Sequence, residues 1–198
     1  MFTGLLSLVA LAIYFVPGAT GALEFSRQAL SRGEIWRLLT GHFTHFEGDH
    51  LSIDLVVFAV FGSFGEIRNR NYFLFTLAFA SLAISASVWW FQPQFQFYRG
   101  LSGLDSALAG MIFARELREA WRRKDRGVVA ICAVASLGFC AKSIYELGSG
   151  KLIFVANETF APMPMAHVVG FVTAWIVCAV GSIEMLRPAT APQQNEGP

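Results

Sequence analysis

Six apolar segments separated by polar stretches constrain this chain more than any other feature of its sequence. The segments cover residues 2–16, 50–65, 72–91, 102–114, 127–147 and 165–186. A helix that crosses a bilayer needs about 20 predominantly apolar residues, and the longest segments reach that length. Charged residues make up only 15% of the chain, whereas soluble domains carry about 25%. The sequence therefore predicts an all-α, polytopic membrane protein with six transmembrane helices in one bundle.

The six segments form one predicted domain, residues 1–187, which is followed by a polar tail. Residues 188–198 lack the apolar side chains that a packed core needs, so we expect this tail to be disordered. The first segment also resembles a signal peptide, because small residues follow it. It lacks the Lys or Arg that normally precedes the apolar run of such a peptide, so we expect it to remain as the first helix.

Lys and Arg residues set the expected orientation of the bundle. With the N-terminus in the cytoplasm, the inner loops carry most of them, chiefly in the polar stretch 115–126. This bias agrees with the enrichment of positive charge in short cytoplasmic loops. The stretch 23–49 then lies outside, where its aromatic residues suit a structured loop at the membrane interface. In this orientation the fourth and sixth segments both begin near the outer face.

Ser102 opens the fourth segment, between Gly100-Leu101 and Gly103. A serine at a helix N-terminus lies beside backbone N–H groups that have no helical partner and can stabilise an oxyanion. The flanking glycines let the backbone turn tightly and let another chain approach. Ser102 is therefore a candidate nucleophile. The alternative is a capping box, with Ser102 as the N-cap and Asp105 as the acidic residue three positions later.

His167, in the sixth segment, is the candidate base for Ser102. A serine needs a base to act as a nucleophile, and a histidine within a membrane span usually faces the bundle interior or a water-filled cavity. A histidine bonded to a neighbouring helix is the alternative. Small residues recur at helical spacing in both segments, at Gly103, Ala107 and Gly110 and at Gly170 and Ala174. Such faces let helix backbones approach closely, so we expect the hydroxyl and the imidazole to come within hydrogen-bond reach.

Three more histidines, His42, His45 and His50, precede or open the second segment. His50 and Asp54 are four residues apart and share a helical face, from which they would present donors to an oxyanion. With Asp54, the histidines also supply enough ligands for zinc or iron. Their spacing fits no single rigid element, so we favour a polar cavity wall over a metal site.

Lys142 and Glu146 are four residues apart in the fifth segment. An ion pair within the bilayer relieves two costly charges at once. The pair fits either a structural role or the binding of a substrate terminus, and the sequence does not choose between them.

Several short motifs occur in a fixed order along the chain. They are Trp36-Arg37 with Thr40 and His45, His50 with Asp54, Gly65-Glu66, Gly100-Leu101-Ser102-Gly103, and Ala166-His167 with Gly170. In this order they resemble the rhomboid family of intramembrane serine proteases. The resemblance covers nearly the whole chain and implies a rhomboid-like bundle of six helices.

The resemblance also implies a mechanism. Ser102 would be the nucleophile and His167 the general base, and the backbone around Gly100 and Leu101 would form an oxyanion hole with help from the His50 side chain. No cofactor or metal is implied. The implied partners are the lipid bilayer and membrane proteins with a transmembrane segment, which would enter past the fifth segment as a gate. The sequence has no basic stripe for nucleic acid.

Two residues depart from the family pattern. Asp54 stands where the family usually has Asn, and a carboxylate beside an oxyanion is repulsive unless it is protonated or turned away to hold His50. Ser106 stands where an aromatic residue often stacks on the catalytic histidine. Another group must then hold that ring, and the candidates for orienting it are Asp105 and His45.

The segment 142–146 and the run 100–106 are also similar to the rhombosortase branch of the family. That branch is thought to process C-terminal sorting signals on exported bacterial proteins, which implies a location in the bacterial inner membrane. Two other classes are open. A catalytically inactive rhomboid-like scaffold that binds transmembrane helices is favoured by Asp54 and Ser106, and a haem- or metal-binding membrane protein would rest on the four histidines.

Overall fold

The structure, a computed structural model, describes residues 1–150, 153 and 163–184, with only the backbone of residues 182–184. It is mostly helical. The helices are α1 Phe2–Phe15, α2 Ala19–Leu23, α3 Arg27–Ser31, α4 Arg37–Thr40, α5 Gly48–Arg68, α6 Arg70–Phe91, α7 Ser102–Arg123, α8 Arg126–Ser149 and α9 Pro164–Glu184. A 3-10 turn covers Gly41–Phe43, and two short strands, β1 Phe25–Ser26 and β2 Phe97–Tyr98, pair antiparallel.

Four of the described helices are long and apolar enough to cross a membrane: α5, α6, α8 and residues Pro164–Gly181 of α9. The protein is therefore an integral membrane protein. Helix α1 is apolar but shorter, at 14 residues. The ends predicted for the sixth segment, at 185–186, and the predicted tail at 188–198 lie outside the described residues.

Helix α7 differs from the short segment predicted at 102–114, because it continues to Arg123. Its second half consists of residues with high helix propensity, and ion pairs stabilise it. Glu119 pairs with Arg123 one turn later at 3.4 Å, and Arg68 at the end of α5 reaches Glu116 at 3.2 Å and Glu119 at 2.6 Å. Part of the stretch predicted as an inner loop is thus helical.

A buried carboxylate joins α1 to α5. Glu66 accepts hydrogen bonds from the Phe2 N–H at 2.8 Å, from the Thr3 N–H at 2.9 Å and from the Thr3 hydroxyl at 2.9 Å. The first N–H groups of a helix have no intrahelical acceptor, so this carboxylate supplies one and also offsets the positive end of the α1 dipole. The beginning of α1 and the end of α5 therefore lie at the same end of the bundle.

Tight turns reverse the chain at that end. Asn69 ends α5 and caps α6, where its side-chain oxygen accepts from the Tyr72 N–H at 3.0 Å. Lys124 adopts a left-handed backbone after α7, and Asp125 then caps α8 by accepting from the Val128 N–H at 3.1 Å. Consecutive long helices consequently run in opposite directions.

The opposite end carries the folded segment between α1 and α5, in agreement with the structured loop predicted there. Phe25 of β1 pairs with Tyr98 of β2, so this segment is tied to the loop before α7. The Arg27 guanidinium donates to the backbone carbonyl of Phe95 at 2.8 Å and to that of Gln92 at 3.0 Å. The beginnings of α5 and α7 are therefore held together by backbone and side-chain bonds.

Helix α7 lies at the centre of the bundle, packed against α5, α6, α8 and α9. Its residues 103–111 are all buried. The closest approach is to α9, where a Cβ on Gly170 would overlap the carbonyl oxygen of Gly103. A Cβ on Gly110 would lie 2.8 Å from the carbonyl oxygen of Phe171. The close packing predicted from small residues in the fourth and sixth segments is confirmed.

Candidate active site

A cavity of about 350 Å³ lies between α5, α7, α8 and α9. Each of the four helices contributes polar groups to its wall: His50 and Asp54 from α5, Ser102 from α7, Glu146 from α8 and His167 from α9. Most of the remaining wall is aliphatic or aromatic. Isolated polar groups in an apolar cleft are typical of a binding or catalytic site.

Ser102 is the first residue of α7, and its position does not form the capping box that the sequence allowed. Leu101 precedes the helix as its N-cap with a helical backbone, and no side chain caps the helix. The Asp105 side chain is buried and lines the cavity, and its Oδ1 atom has no hydrogen-bond partner among the described residues. The Ser102 hydroxyl is therefore not engaged in capping and faces the cavity.

The turn before Ser102 requires glycine at position 100. Gly100 has a φ of 125°, a conformation that side chains strongly disfavour. A Cβ there would also lie 3.1 Å from the His50 ring and 3.6 Å from Asp54. The Tyr98 hydroxyl donates to the Gly100 carbonyl at 3.3 Å, and burial raises the pKa of Tyr98 well above its usual value, so it stays a neutral donor. The turn is thus fixed against α5.

Three nitrogen atoms lie within hydrogen-bond distance of one oxygen of Asp54. Asp54 Oδ2 accepts from the Leu101 N–H at 3.0 Å and lies 3.1 Å from His45 Nε2 and 3.3 Å from His50 Nε2. The Leu101 N–H, predicted to face an oxyanion, is therefore engaged by a carboxylate in this structure. His45, expected to line the cavity and considered as a group orienting the catalytic histidine, instead contacts Asp54 and is not part of the cavity wall.

His167 faces a carboxylate that the sequence had not assigned to it. Its Nδ1 atom lies 3.2 Å from Glu146 Oε2, and the same oxygen accepts from Lys142 Nζ at 2.7 Å. The other oxygen, Oε1, accepts from the Ile153 N–H at 3.0 Å. Glu146 is 1% exposed and His167 is 7% exposed. One signal in the sequence could have indicated this contact. Lys142 and Glu146 lie near the outer end of the fifth segment, at the membrane depth expected for His167.

This arrangement corrects the proposal that Asp105 orients the imidazole. Asp105 makes no hydrogen bond to His167, because the imidazole nitrogen Nδ1 faces Glu146 on α8. Ser106, at the position where the family often has an aromatic residue, donates its hydroxyl to the Ser102 carbonyl at 2.8 Å. It therefore acts within α7.

His42 does not line the cavity, contrary to the expectation from the sequence. It is fully buried against α6, where Nε2 lies 3.0 Å from the Ser81 carbonyl and 3.2 Å from the Ser85 hydroxyl. Burial lowers the pKa of His42 to about 4, which keeps the ring neutral at pH 7. Among the described residues, no group of three or more His, Cys, Asp or Glu side chains is arranged to hold a metal ion.

Ser102 and His167 face the same cavity from adjacent helices, but they make no direct hydrogen bond in the part of the chain that the structure describes. The tight contact between Gly103 and Gly170 holds the two helices together within one turn of each residue. Hydrogen bonds between catalytic groups are often long without substrate and shorten when it binds. The arrangement thus places a hydroxyl and an imidazole on either side of one small hollow.

Comparison with known protein families gives one match that covers most of the chain. The family model described as Rhomboid domain matches residues 32–183. This range includes every polar residue of the cavity wall. A search of curated proteins finds no match.

Proposed function

The chain belongs to the rhomboid family, and we propose that it is an intramembrane serine endopeptidase. In this proposal Ser102 is the nucleophile and His167 the general base. The single observation that carries the proposal is the shared cavity, which contains a serine at a helix N-terminus and a buried histidine within a family of serine proteases. In this proposal the helices α1, α5, α6, α7, α8 and α9 act as one membrane-embedded bundle.

The reaction proceeds through an acyl-enzyme. The Ser102 hydroxyl gives its proton to His167 Nε2 as Oγ attacks the carbonyl carbon of the scissile peptide. His167 then returns that proton to the leaving nitrogen, and the C–N bond breaks. A water molecule, deprotonated by His167, attacks the ester and releases the acid product while Ser102 regains its proton. The polar side of the cavity supplies the water that this second step needs.

The oxyanion would bind at the N-terminus of α7. The N–H groups of Ser102 and Gly103 belong to the first turn, which has no intrahelical acceptors for them. The His50 ring stands across the turn, held by Asp54 on one side and by the close approach of Gly100 on the other. Asp54 thus supports His50 and the Leu101 backbone. Of the two options considered for Asp54, this corresponds to a side chain turned away from the oxyanion to hold His50.

The substrate would be a membrane protein with a transmembrane segment, and cleavage would occur near the outer face. The site lies at the end of the bundle opposite the N-terminus of α1. With that N-terminus in the cytoplasm, the site is at the outer face of a bacterial inner membrane, and the polar half of α7 with its arginine residues is inside. The similarity of segment 142–146 to rhombosortases favours C-terminal sorting signals as the substrates.

A catalytically inactive scaffold that binds transmembrane helices is the second candidate. The bond between the Leu101 N–H and Asp54 favours it, because this N–H is not available to an oxyanion while the bond lasts. The two candidates differ in one measurable property, since a scaffold leaves a bound transmembrane protein intact.

The test is cleavage of a panel of reporters in proteoliposomes, each with a C-terminal transmembrane segment and a polar tail. We expect wild-type protein to release the reporter domain, Ser102→Ala to release none, and His167→Ala to release it at a small residual rate. The matched control is Ser52→Ala on the exposed face of α5, which should keep cleavage near the wild-type rate. Binding without cleavage by the wild type would favour the scaffold instead.

A further inference from the structure

We infer that Glu146 is a positioning residue for His167, so that α8 supplies the acidic member of a Ser102–His167–Glu146 triad. This inference rests on the proposed protease function and extends it. A dyad needs only two adjacent helices, whereas a triad of this kind also requires α8 to lie against the site.

The contact between Glu146 and His167 has the geometry of such a role. Glu146 Oε2 lies 3.2 Å from Nδ1, the imidazole nitrogen on the side away from the proposed reaction. Both side chains are buried, and both belong to the wall of the cavity that contains Ser102. A short contact between buried polar groups orients a ring far more firmly than an exposed one does.

The donors around Glu146 determine the tautomer of His167. Lys142 and the Ile153 N–H both donate to this carboxyl group, which therefore acts as an acceptor. A carboxylate accepts only, so the imidazole must donate its Nδ1 proton to it. Nε2 then has a free lone pair, which is the form that can take the Ser102 proton. The Nδ1 proton stays on the ring throughout the cycle.

The other acidic groups of the cavity do not fill this role. Asp54 is engaged by the Leu101 N–H and lies beside two other histidines. Asp105 has an oxygen without a hydrogen-bond partner among the described residues and makes no bond to His167. Among the described acidic residues, Glu146 is thus the one that contacts the proposed base, and Lys142 donates to the same oxygen.

The kinetic test compares two buried glutamates on membrane helices. Glu146→Gln keeps the size of the side chain and removes its charge, and we expect kcat to fall on the order of 100-fold with KM within twofold, because a positioned base contributes about 10²–10⁴ in rate. Glu66→Gln is the matched control at the other end of the bundle, and should lower the melting temperature without changing kcat. Glu146→Asp should recover part of the lost rate. A Glu146→Gln enzyme with wild-type kcat would overturn the inference.

A second kinetic comparison separates positioning from a purely structural role. If Glu146 acts through His167, adding Glu146→Gln to a His167→Ala enzyme should leave its residual rate unchanged. A further fall of similar size in the double variant would show that Glu146 acts independently of the histidine, which contradicts the inference.

A spectroscopic readout does not depend on turnover, so it separates failure of this inference from failure of the proposed protease function. Nitrogen-15 NMR of labelled histidines, with His167 assigned from a His167→Gln sample, reports which ring nitrogen carries the proton. We expect protonation at Nδ1 in the wild type and its loss in Glu146→Leu. A wild-type His167 protonated only at Nε2 would overturn the triad even in an active protease. An Nδ1-protonated ring in a protein that cleaves nothing would support the contact and contradict the proposed function.

Discussion

The two sides of the cavity differ in how firmly their polar groups are held. On the α5 side, formed by His50 and Asp54 with His45 behind them, one carboxylate joins a loop, a helix and the turn before α7. On the α8 side, formed by Lys142 and Glu146, the groups belong to a helix with little contact surface. In the apolar stretch of α5 that is long enough to cross a membrane, 39% is buried inside the bundle, whereas in the corresponding stretch of α8 only 11% is buried.

This difference separates two parts of the proposed mechanism. The nucleophile and the groups around its oxyanion belong to closely packed elements and need no movement to be in place. The general base belongs to α9, but its partner Glu146 is on α8. Any displacement of α8 that admits a substrate helix would therefore disturb the base while leaving the nucleophile in place. Loosely packed elements are the ones that open at low cost in free energy.

The largest expected effect comes from Gly170→Ala in α9. Compared with a glycine substitution in α8, it tests whether α9 is packed more tightly than α8. Gly170→Ala in α9 would force a Cβ into the Gly103 carbonyl, so the helices must separate and Ser102 moves away from His167. We expect cleavage to fall by about 100-fold or more, because a displacement of 1 Å can cost about that much, and the melting temperature to drop.

Gly138→Ala in α8 is the matched control, because the added Cβ would meet no described atom within 4 Å beyond its own stretch of helix. Alanine is favoured over glycine in a helix interior by about 0.5–1 kcal/mol. Thermal unfolding and reporter cleavage should therefore show an equal or higher melting temperature and an unchanged rate. Equal losses in both variants would contradict the difference in packing.

A substitution on the α5 side tests whether its rigid groups take part in catalysis. His50→Ala should lower kcat on the order of 10²–10³-fold, the usual cost of losing one oxyanion donor, while the folded state persists. The control is Ser52→Ala on the exposed face of the same helix, where the hydroxyl only bonds to the Gly48 carbonyl. If His50→Ala cleaves the reporter at the wild-type rate, the ring has no place in the oxyanion hole.

The smallest expected effect is the pH dependence of stability that is caused by His42, in the loop before α5. The pKa of His42 falls from an ordinary 6.5 to about 4 in the folded protein. Between these values the unfolded chain binds the extra proton, so the free energy of unfolding decreases as the pH falls from about 6.5 towards 4. At pH 5 the loss is on the order of 2 kcal/mol.

The measurement is the melting temperature in detergent at pH 7 and at pH 5. Wild-type protein should melt at a lower temperature at pH 5, and His42→Gln should show a smaller decrease. An identical decrease in both proteins would assign the pH dependence to other groups.

Much of the fold follows from the sequence because apolar length and small-residue spacing are local signals. The apolar helices and the contact between α7 and α9 were predicted from them, whereas the short helices α2, α3 and α4 were not. The length of α7 was not, because charged residues end a membrane span without ending a helix. Residues of high helix propensity continue it, and Arg68, on a different helix, pairs with Glu116 and Glu119 in this part.

The cavity was predicted less completely. Ser102 and His167 were identified from the sequence motifs and from the cost of placing a histidine in a membrane span, and both line the same cavity. The contact between Glu146 and His167 did not follow, because spacing within α8 reveals a pair with Lys142 but not which neighbouring helix the pair faces. His42 was wrongly assigned to the cavity, since nothing in the loop sequence shows that it turns towards α6.

The most direct test of the central claim is to locate the adduct formed with a serine-reactive fluorophosphonate, by mass spectrometry of the digested protein. We expect a single adduct on the peptide that contains Ser102, absent in Ser102→Ala and formed much more slowly in His167→Ala. Labelling of a different residue, or labelling that persists at full rate without His167, would contradict the claim that these two side chains act together.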